Sequence, residues 1–242
     1  MTTVLLVRHG RTAANVAGIL AGRTPGVELD AVGITQASET AQRIAPIPLR
    51  ALVSSPLDRC RQTAEALQAA RSDGLATSVD EGLVECGYGD WTGRSLRELS
   101  KEKLWRVVQQ QPSAVRFPGG ESMTEMAARA IGSIRAWDAK LTTEHGDDTI
   151  WAAVSHADVI KAILADALGM HLDSMQRLLV DPASVSIVRY TPERPYVIKV
   201  NSTNADLGAL FPSAKKKPRS RRTRSPQDAP VGGGLGAEEA VH

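Results

Sequence analysis

Short apolar runs take turns with longer stretches of helical period along most of this chain. Val4 to Val7, Leu52-Val53 and Ile150 to Val154 are β-branched or leucine-rich and bounded by polar residues, which predicts buried strands. The full pattern predicts strands near 3–8, 50–54, 76–79, 149–154, 184–191 and 196–200. Helices are predicted near 31–45, 57–70, 95–110, 122–144, 158–168 and 171–178. Regular alternation of the two predicts a three-layer α/β/α sandwich. The last two strands are joined through Pro192-Glu193-Arg194-Pro195, which reads as a hairpin at a sheet edge, so the sheet is expected to be mixed and mainly parallel. Ser122-Met123-Thr124-Glu125 follows a Gly-Gly turn and forms a capping-box sequence, giving Glu121 and Ser122 a structural role at a helix start.

Three of these strands end alike. The first runs into Arg8-His9-Gly10, the second into Ser54-Ser55-Pro56 with Arg59 a few residues on, and the fourth into Ser155-His156. Ligands of open α/β sheets gather beyond the carboxyl ends of strands, so two histidines and two arginines fall where chemistry is expected. Gly10 allows a sharp turn and close approach to a ligand, while Arg8 and Arg59 supply cationic forks suited to phosphoryl or carboxylate groups. A glycine-spaced loop, Leu83 to Gly93, adds the carboxylate of Glu85 as a candidate proton carrier.

With these segments in this order, the chain resembles the histidine phosphatase superfamily in its phosphoglycerate-mutase-like branch, over roughly residues 3 to 203. The resemblance rests on Arg8-His9-Gly10, Asn15, the turn and helix entry from Leu29 to Ala37, and Ser54-Ser55-Pro56 with Arg59 and Thr63-Ala64. It extends through Glu85 with Gly89-Asp90-Trp91-Thr92-Gly93, Phe117-Pro118-Gly119-Gly120-Glu121-Ser122, and Ser155-His156. It implies a phosphoglycerate-mutase-like fold, and His9 as the nucleophile that is phosphorylated during turnover. Arg8, Arg59 and His156 are implied to clamp the phosphoryl group with help from Asn15, and Glu85 to donate and then accept the proton. Ala21, Gly22, Tyr88 and Ala157 complete the substrate-binding residues it implies. No metal and no cofactor are implied.

The residue types suit that chemistry. A phosphoryl group in a loose transition state spreads charge over its equatorial oxygens, so positioned cationic donors supply most of the catalysis. Arg8, Arg59 and a protonated His156 fit that role. His9 must instead be neutral at one nitrogen, and neighbouring positive charge should depress its pKa. Glu85 must protonate a leaving alkoxide and then deprotonate water, which calls for a pKa nearer neutrality than that of a free carboxylate.

Two departures from the family pattern bear on function. Mutases of the family follow the glutamate with Arg-His-Tyr, whereas here Cys86-Gly87-Tyr88 follows Glu85. Cations needed to hold a bisphosphorylated intermediate are absent there, so a phosphomonoester hydrolase acting through phosphohistidine is the leading expectation. A phosphoglycerate mutase or other phosphomutase is the alternative. The stretch Ala21-Gly22-Arg23-Thr24-Pro25-Gly26 resembles a less characterised set of phosphomutases and keeps that alternative open. Arg11, Arg23, Arg94, Arg106 and Arg116 are candidates for a different anion pocket. Ala157 stands where the family usually has glycine after the second histidine, and it would be strained if φ there had to be positive. That gives a third reading from another class: a catalytically weak module that binds phosphate esters.

Length and composition fit one main domain. With 242 residues, 42% of them apolar, a sizeable core is within reach. The domain is expected over residues 1–204, with 205–242 a basic, Pro- and Gly-containing disordered tail. From Ser213 on there are seven Lys/Arg against three acids, which leaves 22 basic and 24 acidic residues before it. The formal charge of +2 is therefore a property of the tail, and the domain carries no general basic surface for nucleic acid. The charge run of the tail is read first as a solvated segment, with contact to an acidic partner as the alternative. Other partners are a small phosphorylated substrate and, as an open option, a second copy in a homodimer; a membrane is not expected. Neither a leader of charged and apolar regions nor a bilayer-length apolar stretch is present, so a cytoplasmic enzyme is expected. Cys60 and Cys86 are read as reduced, core-filling thiols. No Walker pattern, three-glycine dinucleotide fingerprint or paired-histidine zinc spacing occurs.

Overall fold

The computed structural model describes residues 1–204 and Gly232. The tail expected over 205–242 lies, apart from that glycine, outside the described residues.

The chain opens with β1 (Thr2–Arg8) and a short α1 (Ala13–Val16), followed by α2 (Ala31–Ile44), β2 (Leu49–Ser54), α3 (Asp58–Ala69) and β3 (Thr77–Val79). After the glycine-spaced loop come α4 (Leu96–Leu99), α5 (Lys103–Gln110), α6 (Met123–His145), β4 (Thr149–Ser155), α7 (Ala157–Ala167), β5 (Val185–Tyr190) and β6 (Pro195–Ser202). The six strands form one sheet in the order β3-β2-β4-β1-β5-β6. β3, β2, β4 and β1 run parallel to one another; β5 pairs antiparallel with β1, and β6 with β5, closing one edge as a hairpin.

Strand alternation divides the core in two. Val4 and Leu6 of β1, Ala51 and Val53 of β2, and Trp151 and Ala153 of β4 join the buried residues of α6 and α7. Leu5 and Val7, Leu52, and Ala152 and Val154 join those of α2 and α3. Because successive side chains of a strand point to opposite faces, a continuous apolar run is what a sheet covered on both sides requires. Both helical layers are thereby written into the same few residues. Each of these central strands is paired on both sides, which makes their carboxyl ends a rigid platform.

Three local features differ from the sequence expectation. The helix predicted over 95–110 is broken into α4 and α5, because the backbone turns extended at Glu102 (φ −80, ψ 147). That turn sends the Glu102 carboxylate to the indole N–H of Trp91 and to Arg94. The segment predicted as a helix over 171–178 is a 3₁₀ helix, Leu172–Arg177. The short α1 was not predicted; Thr12 and Asn15 form its capping box. The Ser122–Glu125 capping box forms as read, and α6 then continues for 23 residues. Among the described residues no helix is long and apolar enough to cross a membrane.

Candidate active site

The site is assembled by register. Arg8 of β1 lies opposite Ser155 of β4, and Ser54 of β2 opposite Val154, so three adjacent strands end almost level. The next residues continue the ladder: the His9 N–H donates to the Ser155 carbonyl at 3.0 Å, and the Ser55 N–H to the Val154 carbonyl at 2.9 Å. Side chains at these ends are thrown together over the platform. The rings of His9 and His156 lie 5.2 Å apart, edge to face. Behind His9 the chain is pressed against the first turn of α2; a Cβ on Gly10 would sit 2.5 Å from the Gly33 carbonyl oxygen.

Hydrogen bonds assign the tautomers. His9 Nδ1 is 2.7 Å from the Gly10 carbonyl oxygen, which can only accept, so Nδ1 carries the proton. That leaves the lone pair on Nε2, which accepts from Arg59 Nε at 3.3 Å. Arg59 also donates through Nη2 to the Gly22 carbonyl at 2.8 Å and to His156 Nδ1 at 3.3 Å. With Nδ1 of His156 accepting, its Nε2–H donates to Ser55 Oγ at 2.8 Å. Burial, reinforced by Arg59 and Arg8, holds His9 well below the usual imidazole range, so it is neutral. His156 is pushed down in the same way, by burial, Arg59 and His9. Without a bound anion, burial, two arginines and a second imidazole disfavour a further positive charge on His156, so the protonated form expected of it is that of the phosphoryl-bound site.

Glu85 is 3% exposed. One carboxylate oxygen accepts from the Cys86 N–H at 2.9 Å and the other lies 3.9 Å from His156 Nδ1. Burial and then the negative charge of Asp158 push its pKa up to about 7, against the opposing pull of Arg59 and Arg8. A group so placed releases and recovers a proton near neutrality. Arg8, fully buried, donates to the Val180 carbonyl at 2.8 Å and to the Gly232 carbonyl at 3.3 Å. Burial lowers its pKa to about 10, which leaves it charged at neutral pH.

The remaining sequence candidates fall into place unevenly. Asn15, Ala21, Gly22 and Tyr88 line one pocket with His9, Arg59 and Glu85. Asn15 spends its amide oxygen on Thr12, so its NH₂ is what it can offer a ligand. Tyr88 is buried within the pocket wall, and its hydroxyl donates to Asp158 at 2.8 Å. Ala157 begins α7 and is absent from the residues with positive φ. The strain considered for it does not arise. The arginines proposed as a second anion pocket are engaged elsewhere: Arg11 with Asp30, Arg23 with Glu121, Arg94 with Glu102, Arg106 with Gln110 and Arg116 with Glu125. None of them lines the pocket, whose other walls are Thr12, Gly18, Ile19, Leu20, Leu96 and Gly232.

Two residues here were not singled out from sequence. Ser55 orients His156, and its only signal was its position at a strand end beside Pro56. Asp158 is wholly buried beside the site, and its only signal was its place two residues after His156. Among the described residues, no group of three or more His, Cys, Asp and Glu is arranged to hold a metal ion.

Comparison with known proteins agrees with this geometry. The profile of the histidine phosphatase superfamily (branch 1) matches residues 4–203. Phosphoserine phosphatase 1 of Hydrogenobacter thermophilus is 28% identical over 218 residues, covering 89% of this chain and 99% of that protein. The protein named probable phosphoglycerate mutase GpmB of Proteus mirabilis is 34% identical over 194 residues, covering 78% and 86%. Among solved structures, a mycobacterial glucosyl-3-phosphoglycerate phosphatase in complex with VO₃ superposes with a TM-score of 0.74 at 26% identity, covering 83% of this chain and 99% of that one.

Proposed function

The chain belongs to the histidine phosphatase superfamily, branch 1, and from that premise we propose that it is a metal-independent phosphomonoester hydrolase that acts on a small phosphorylated metabolite through a phosphohistidine. The observation that carries the choice of hydrolase over mutase is the charge of the pocket wall. Among the described residues that line it Arg59 is the single cation, and the five other arginines considered for a second anionic group are paired elsewhere. A bisphosphorylated intermediate finds no second clamp, so water outcompetes its return.

In the first step the lone pair of His9 Nε2 attacks phosphorus. The bond from phosphorus to the ester oxygen breaks, and the departing alkoxide takes the proton of Glu85. Arg59 and Arg8 neutralise the equatorial oxygens, and His156, held by Ser55, contributes a further donor once the anion raises its basicity. In the second step Glu85, now a carboxylate, takes a proton from water as its oxygen attacks the phosphohistidine. Inorganic phosphate leaves, and His9 and Glu85 return to their starting states. The same reading carries a cytoplasmic enzyme that needs no cofactor.

The test is a phosphate-release assay over a panel of phosphomonoesters, run beside 3-phosphoglycerate with and without 2,3-bisphosphoglycerate. Release of phosphate with acid-labile, base-stable labelling of the protein, both lost in His9→Ala, is the expected result. Isomerisation without release makes the chain a mutase, the reading suggested by its likeness to GpmB. Binding of esters with neither reaction makes it a binding module.

A further inference from the structure

A carboxylate beside a phosphoryl site needs a reason. Asp158 is wholly buried in the first turn of α7, two residues after His156, where it would repel any bound phosphate. Pairing with Lys161 is an incomplete explanation. Lys161 Nζ lies 3.7 Å from Asp158 Oδ1, beyond hydrogen-bond reach, and donates instead to Gln176 at 3.0 Å. Among the described residues Oδ1 has no hydrogen-bond partner, an arrangement that costs stability when a carboxylate is buried.

The other oxygen shows what the carboxylate can do. Asp158 Oδ2 accepts the hydroxyl of Tyr88 at 2.8 Å and the backbone N–H of Gly232 at 3.1 Å, and Gly232 lines the same pocket as His9 and Glu85. The carbonyl of that glycine accepts from Arg8 Nη2 at 3.3 Å. One residue thus bridges the phosphoryl-clamping arginine and the carboxylate, with its acceptor on Arg8 and its donor on Asp158.

We propose that Asp158 is a specificity-determining residue whose Oδ2 receives a hydrogen-bond donor carried by the alcohol portion of the substrate, so that the preferred substrates are phosphomonoesters with an ammonium, amide or hydroxyl donor close to the ester carbon. Gly232 holds this subsite in the structure, with its N–H where the substrate donor binds. The subsite explains a buried carboxylate that would otherwise weaken phosphate binding: it recovers the loss only when the substrate brings a donor, and best when the donor is cationic. Tyr88, which also donates to Oδ2, fixes the direction in which the remaining lone pair points.

The inference rests on the phosphomonoesterase reading, and its test keeps the two apart. The probes are 2-aminoethyl phosphate, 2-hydroxyethyl phosphate and ethyl phosphate, which share a two-carbon chain and differ in the terminal group, with p-nitrophenyl phosphate as a donor-free reporter of hydrolysis. For the wild-type full chain, kcat/KM is expected to fall in that order, with about 10- to 100-fold between the ammonium and the unsubstituted ester, the range of a hydrogen bond to a charged group. In Asp158→Asn, which keeps an acceptor and removes the charge, the ratio of ammonium to hydroxyl ester should collapse towards one. Equal rates for the three alkyl esters in the wild type overturn the proposal even if the variant fails to fold, as does a folded variant with an unchanged ratio. Absence of hydrolysis of p-nitrophenyl phosphate as well removes the enzymatic reading on which the subsite rests.

Discussion

Arg59 donates from Nε to Nε2 of His9 at 3.3 Å, so a group that, after burial, helps to hold this imidazole neutral sits on the lone pair that the proposed mechanism uses. In that mechanism the arriving phosphoryl oxygens would take over the guanidinium and release the lone pair. The same side chain reaches His156 and the Gly22 carbonyl, which a lysine cannot do with a single point charge.

Arg59→Gln is therefore expected to lower kcat by about 10²- to 10³-fold, the usual loss for a donor aimed at transition-state charge. It should also move the acid limb of the kcat/KM profile to higher pH. His9 reacts only when unprotonated; its pKa is depressed by burial and then by Arg59, and removing the second cause lets it rise. A profile measured with p-nitrophenyl phosphate in which the acid limb stays put or moves down contradicts this.

Glu85 gives two effects of known sign. Its pKa of about 7 predicts that hydrolysis of alkyl esters falls as pH rises through 7, because the proton needed by the alkoxide is gone. Glu85→Gln should accordingly cost alkyl phosphates far more than aryl phosphates. Equal losses for both would move the general acid elsewhere.

Stability follows the same group. Its folded pKa is raised above the unfolded value, so its contribution is fully present below about pH 4.5 and lost as pH rises through about 7. Glu85→Gln removes the carboxylate that becomes a buried charge at alkaline pH. Its melting temperature relative to wild type should be higher at pH 8 than at pH 5, as read by circular dichroism.

Ala157→Gly should not raise turnover. Alanine occupies an ordinary helix start there, and glycine would loosen α7 by about 0.5–1 kcal/mol without relieving anything. A rise in kcat with unchanged melting temperature would restore the idea that alanine is strained.

Gly10→Ala should be more damaging than its size suggests. The added methyl would meet backbone atoms of Gly33 rather than a side chain able to swing away. Since the Gly10 N–H also donates to Thr63 at 3.1 Å, the loop cannot retreat freely. A loss of about 1–3 kcal/mol of stability, with turnover largely abolished, is expected from calorimetry and assay.

Much of this was legible in the chain, and for a physical reason. Buried central strands leave an unambiguous apolar run, so the three level strand ends and the residues after them were found together. What escaped were features set by packing across the fold. The break between α4 and α5 goes with contacts of Glu102 to Trp91 and Arg94, which local propensity does not contain. The protonation of His156 depends on burial and on Arg59 and His9 arriving from α3 and from the end of β1. Asp158 reads as an ordinary acidic residue in a helix first turn until Tyr88 and Gly232 are seen against it. The pairing of the surface arginines was likewise invisible until their partners were placed.

Cys60 lies 3.5 Å from His156 Nε2, with its thiol facing the Ser155 carbonyl at the same distance. Burial pushes that thiol up to about 12, so near pH 7 only on the order of one molecule in 10⁵ carries the thiolate that oxidants and alkylating agents attack. Peroxide or iodoacetamide, which silence phosphatases built on a reactive cysteine, find no handle here. On the proposed mechanism the rate of dephosphorylation is therefore expected to be insensitive to the redox state of the surroundings, because the sulfur beside His156 stays a thiol.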